Sequence, residues 1–113
     1  MITIQSLTAF GADVKAGLSR CMNNEAFYLR LVNMELGDAN FDRLKQAYDA
    51  GDVKAVFEAA HALKGALGNL SLTPIYEPVN EITERTRGAG TMPELTELLR
   101  TVFEKFDELK ALA

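Results

Sequence analysis

The 113-residue chain holds one histidine, His61, and one cysteine, Cys21. Any imidazole chemistry therefore has a single ring to work with. One cysteine excludes an intramolecular disulfide, and one histidine removes the usual zinc constellations and every two-histidine mechanism, so no metal site is expected. His61 lies in the run Ala60-His61-Ala62-Leu63-Lys64-Gly65-Ala66-Leu67-Gly68-Asn69-Leu70. Lys64 follows it by one helical turn, and Gly65 and Gly68 fall on the same side. An unperturbed imidazole titrates at about 6.5, so an exposed one is mostly a neutral nucleophile at pH 7 and needs no activating triad. Phosphoryl transfer suits that set. The transferring group asks the protein for positioning and cationic neutralisation, which Lys64 supplies as a mobile point charge, and the glycines leave bare backbone for a donor to approach.

The helix carrying these residues is predicted over Val53 to Leu70. Taking 100° per residue with Val56 at zero, Val56, Ala60, Leu63, Leu67 and Leu70 fall within about 40° of one another's mean direction and form the core stripe. Lys64, Phe57, Gly68, His61, Lys54 and Gly65 share a flank between about 80° and 180°, with His61 at its centre. Two glycines inside one helix cost about 0.8–1 kcal/mol each relative to alanine. That cost falls on the flank bearing the only histidine, which marks it as a face built to be docked against.

The elements that must position this helix are also helical, because apolar residues recur at three and four throughout. Short helices are predicted over Ser6 to Phe10 and Asp13 to Met22. Asn23 or Asn24 caps a helix to about Leu36, and Asp38 or Asn40 caps another, closed by Gly51. Thr73 and Pro74 read as N-cap and N1 of a helix ending near Gly88, with Pro78 bending its first turns. Thr91 and Glu94 have capping-box spacing ahead of Leu95, Leu98, Leu99, Val102, Phe106 and Leu109. The expected fold is all-α: one domain over 1–113, an antiparallel up-and-down four-helix bundle with additional short N-terminal helices across one side. Cys21 reads as a small buried hydrophobe, and Met22, Met34 and Met92 as core or loop fillers. The acidic residues of the last helix interleave with Arg100, Lys105 and Lys110, the pattern of a solvated face.

Hydrophobic residues make up 48% of the chain, the ordinary share for a globular domain. Twelve Lys and Arg against sixteen Asp and Glu give a net charge of −4, the wrong sign for nucleic acid or an anionic membrane. The first residues lack the basic start and apolar run of a signal peptide, and no stretch is long enough to span a bilayer. A cytoplasmic, free-standing, monomeric module is expected.

The run from Ala60 to Leu70 resembles the phosphorylation-site motif of the histidine-containing phosphotransfer (HPt) domains of two-component phosphorelays, in which leucine, lysine and glycine follow the histidine at the second, third and fourth places. The resemblance implies that His61 is phosphorylated, that Lys64 is the phosphate-proximal cation, and that Gly65 admits a receiver domain's active-site loops. Lys54, Phe57, Gly68 and Asn69 complete the expected docking face. The implied partners are receiver domains of a hybrid histidine kinase and of a response regulator. The chain would be a phosphocarrier without kinase activity or cofactor of its own, since it has no Gly-rich nucleotide loop, and Mg²⁺ would sit on the receiver. Two positions depart from the family pattern. Ser71 stands where many members have glycine. Thr83, beside Glu84, stands where some place a glutamine or glutamate against the imidazole, and is a candidate for orienting the ring. The alternative reading is a helical adaptor that docks a receiver-like partner through the same face without being phosphorylated.

Overall fold

The computed structural model describes residues Met1–Ala113, and its regular structure is entirely helical. There are seven helices: α1 (Ile4–Phe10), α2 (Val14–Arg20), α3 (Glu25–Glu35), α4 (Asn40–Asp49), α5 (Val53–Asn69), α6 (Thr73–Thr86) and α7 (Thr96–Lys110). α5 is central, packing chiefly on α6 and α4, while α6 packs on α7. The bundle closes through side chains, with the Phe41 ring of α4 stacked on Phe106 of α7 at 3.7 Å between centroids. α1 lies against α7 and α2. One contiguous cluster of buried apolar residues draws on all seven helices.

Local chemistry sets most of the boundaries. Asp52 caps α5 by accepting the Ala55 N–H at 3.1 Å, and Asn24 caps α3 by accepting that of Phe27 at 3.1 Å. Gly51 takes φ +71° between α4 and α5, a left-handed value that suits glycine. The core stripe of α5 is as expected, with Val56, Ala60, Leu63 and Leu67 fully buried. The Val56, Leu63 and Leu67 side chains each contribute about 1.5–3 kcal/mol by leaving water.

Several expectations need correction. α7 begins at Thr96 rather than at a Thr91–Glu94 capping box. The reason is tertiary: Tyr48 of α4 accepts the Leu95 N–H at 3.3 Å and donates to Glu94 Oε1 at 3.3 Å. Glu94 in turn accepts the Thr96 N–H at 2.7 Å, so it works just outside the helix instead of three residues inside it. α6 includes Thr73, with Leu72 at the N-cap, so Pro74 is its second residue. α2 stops at Arg20 because Met22 and Asn23 both take φ +56°. Cys21 is buried, but Met22 and Met34 stand exposed, and Met34 therefore fills no core.

Two buried polar features matter later. Gly17 lets α2 lie on Tyr28, since a Cβ there would sit 2.5 Å from the ring. Tyr28 is fully buried and donates its hydroxyl to the Leu70 carbonyl at 2.8 Å, fastening α3 to the end of α5. Glu35, at the end of α3, is 8% exposed, and its Oε2 has no hydrogen-bond partner. Burial first, and then the neighbouring Asp38 carboxyl, push the Glu35 carboxyl up to about 8.

Candidate functional site

Because α5 buries Val56, Ala60, Leu63 and Leu67, helical phase leaves His61 on the solvent side, where it is exposed. The imidazole stacks on Phe57, one turn earlier, with 5.4 Å between centroids and 17° between planes. Arg87, just past the end of α6, holds its guanidinium carbon 5.2 Å from the centre of the same Phe57 ring. One turn after His61, Lys64 Nζ lies 3.3 Å from Glu84 Oε1. Arg87 Nε donates to Glu84 Oε2 at 3.3 Å and Nη2 to Oε1 at 3.4 Å. Hydrogen bonds from Arg87, then from Lys64, hold the Glu84 carboxyl below the usual carboxylate range.

A groove of about 550 Å³ opens beside the imidazole between α2, α5 and the first turns of α6. His61, Lys64, Gly65, Gly68 and Asn69 line it from α5, facing Ala16 and Arg20 of α2 and Tyr76 of α6. Its floor is fixed by Arg20, whose Nη1 donates to the Gly68 carbonyl at 3.1 Å, the Asn69 carbonyl at 3.4 Å and Ser71 Oγ at 2.6 Å. The bond to the Asn69 carbonyl satisfies an acceptor that a helix C-terminus otherwise leaves to water.

The two helix glycines have different reasons. A Cβ on Gly65 would meet nothing within 4 Å, so nothing inside the protein requires glycine there. On Gly68 it would sit 3.3 Å from Tyr76 Cε2, so that bare backbone is already used by a neighbour. Gly68 lines the groove, but its glycine serves the packing of α6 on α5. Ser71 occupies the left-handed position after α5, at φ +53°. The Leu72 N–H reaches the Leu67 carbonyl at 3.0 Å and the Ser71 N–H that of Gly68 at 3.1 Å, the paired bonds of a Schellman stop. A serine thus does what glycine usually does there.

Not every expected residue joins the site. Lys54 is exposed two turns before His61 and outside the groove. Thr83 is fully buried and donates its hydroxyl to the Val79 carbonyl of its own helix at 2.9 Å, so the structure does not bring it to the imidazole as an orienting group. Phe57, lying against the ring, is the side chain that does constrain its orientation. Sequence reasoning missed Arg20, Tyr76 and Arg87, and left Glu84 without a role. Tyr76 had a usable signal, as the single aromatic residue of the α6 sequence opposite a helix glycine. The others depend on how the helices cross.

No group of three or more His, Cys, Asp or Glu side chains is placed to hold a metal ion, and no helix is long and apolar enough to cross a membrane. No curated protein and no solved structure matches the chain. The family model of the Hpt domain matches residues 34–112, from the end of α3 through α7, the stretch that builds the bundle and carries the exposed imidazole with its lysine. With that match over most of its length, the chain belongs to the Hpt domain family.

Proposed function

We propose that His61 is the phosphorylated residue of a phosphorelay carrier. Hpt domains are histidine-containing phosphotransfer modules, not kinases, and they engage receiver domains. On this reading the lone pair of one imidazole nitrogen attacks the phosphorus of a receiver's aspartyl phosphate. An N–P bond forms, the P–O bond to the aspartate breaks with its electron pair, and the carboxylate leaves. The proton on the other ring nitrogen takes no part, so no base is needed on this chain. The reverse reaction delivers the phosphoryl group to a second receiver. Phosphohistidine and aspartyl phosphate are both high-energy linkages, which makes the exchange reversible.

The observation that carries the reading is the exposed imidazole beside open space over Gly65, with Lys64 one turn away. A receiver's loops need that space, and the phosphoryl dianion needs that cation. Gly65, Asn69 and Phe57 are assigned to the docking face. Lys54 lies at its far edge. Mg²⁺ is assigned to the receiver's acidic pocket. The partners are receiver domains of a hybrid kinase and of a response regulator, met by a monomer in the cytoplasm, where the buried thiol of Cys21 stays reduced.

The test is transfer from a phosphorylated receiver with Mg²⁺ to wild type and to His61→Gln, followed by acid and alkali treatment. Acid-labile, alkali-stable label that is absent from the variant is the expected result. Label surviving in His61→Gln refutes the assignment, and binding without label in wild type favours the unphosphorylated adaptor.

A further inference from the structure

The cation assigned to the phosphoryl group is not free in the unphosphorylated protein. Lys64 Nζ is 3.3 Å from Glu84 Oε1 in a surface ion pair, with the Lys64 side chain 29% and the Glu84 side chain 52% exposed. Glu84 has a second partner in Arg87, which reaches both carboxylate oxygens at 3.3 and 3.4 Å. Arg87 is itself seated by Phe57, whose ring lies 5.2 Å from its guanidinium carbon. The carboxylate is thus held in place from the α6 side whether or not Lys64 stays.

Resting on the assignment of His61 and Lys64 above, we propose that Glu84 is an internal competitor for the phosphoryl group, holding Lys64 while His61 is bare and surrendering it when His61 is phosphorylated. Three features make the exchange feasible. Lysine carries a point charge on a flexible stem with three donors, so it can swing between anions without a geometric penalty of the kind a planar guanidinium meets. A phosphoryl group carries roughly twice the charge of a carboxylate. Glu84 is left paired with Arg87 after Lys64 departs, so the swap strands no anion. The consequence is thermodynamic. Part of the attraction between Lys64 and the phosphoryl group is spent on breaking the Lys64–Glu84 pair, so Glu84 makes phosphohistidine less stable and tilts the equilibrium toward the receiver's aspartate. Glu84 is a positioning residue, acting through Lys64.

The experiment is a double-mutant cycle on the equilibrium constant for transfer between a phosphorylated receiver and this chain, using wild type, Glu84→Gln, Lys64→Ala and the double variant. Glutamine preserves the shape of Glu84 and removes its charge. Glu84→Gln is expected to shift the equilibrium toward phosphorylated His61 by about two- to five-fold, the range of partly exposed ion pairs. In the Lys64→Ala background the same substitution should shift it by less than half as much, because only the repulsion between Glu84 and the phosphoryl group remains. An equal shift in both backgrounds, or no shift in either, overturns the competitor role. Those outcomes are separable from failure of the phosphocarrier reading, in which wild type itself takes no label.

Discussion

Glu35→Gln should remove most of the pH dependence of stability between pH 5 and 9. Glu35 is 8% exposed with an unpartnered oxygen, and its carboxyl is pushed from the usual 4.5 up to about 8 by burial and by Asp38. Since the folded value lies above the unfolded one, the folded state binds the extra proton. The stabilisation is complete below 4.5 and is lost as pH rises through 8. Integrating between those two values, wild type loses about 4 kcal/mol from pH 5 to pH 9 through this group alone. Glutamine fills the same space and does not titrate. The stability difference between variant and wild type should therefore start near zero at pH 5 and grow by about 4 kcal/mol by pH 9, roughly 4 °C of midpoint per kcal/mol for a domain of this size. Urea unfolding followed by far-UV circular dichroism in half-unit pH steps measures it. Titrating groups that do not touch Glu35 are common to both proteins and cancel in the difference, which leaves Glu35 together with its neighbour Asp38. Two stability curves that stay parallel within about 0.5 kcal/mol across that range would refute the argument that Glu35 is folded in its protonated form.

Gly65→Ala should raise stability by about 0.8–1 kcal/mol, because its Cβ enters open space and the helix gains alanine's propensity; Gly65→Leu should fold equally well yet lose at least tenfold in transfer rate from a receiver. Thermal melts and labelling time courses check the pair, and a destabilised Gly65→Ala would contradict the open space. Ser71→Gly should be close to neutral, since release from the left-handed backbone offsets the lost bond from Arg20, whereas Ser71→Ala keeps the backbone cost and loses the bond, costing about 1 kcal/mol. Chemical denaturation of both variants decides this, and the reverse order would show that Ser71 is held by neither effect.

What could be read in the sequence was whatever one helix decides by itself. Val56, Ala60, Leu63 and Leu67 fix the phase of α5 from their spacing, and that phase alone places His61 and Gly65 outside. Asn24 and Asp52 cap through residues three positions away, so their helices begin where expected. What could not be read depends on the crossing of distant elements. The start of α7 is set by Tyr48, a residue of α4, and no local pattern around Thr91 and Glu94 contains that information. Gly65 and Gly68 look alike along the chain and differ only because α6 sets Tyr76 opposite one of them. Thr83 and Glu84 are adjacent in sequence, but the rotation of α6 sends one into the core and the other to Lys64.

The groove beside His61 has walls of two origins. The imidazole, lysine and bare backbone belong to the stretch that matches the family, whereas Ala16 and Arg20 come from α2, ahead of it. One arginine side chain clamps that second wall to the end of α5 through three acceptors. On the proposed reading, the side chains assigned to transfer and those that complete the groove on its α2 side are therefore physically separable. The exposed side of α2 is held by Arg20 and Gly17, two fastenings that leave its other surface positions free to vary. Exchanging that surface would change the contour beside the imidazole while His61, Lys64 and Gly65 keep their places on α5.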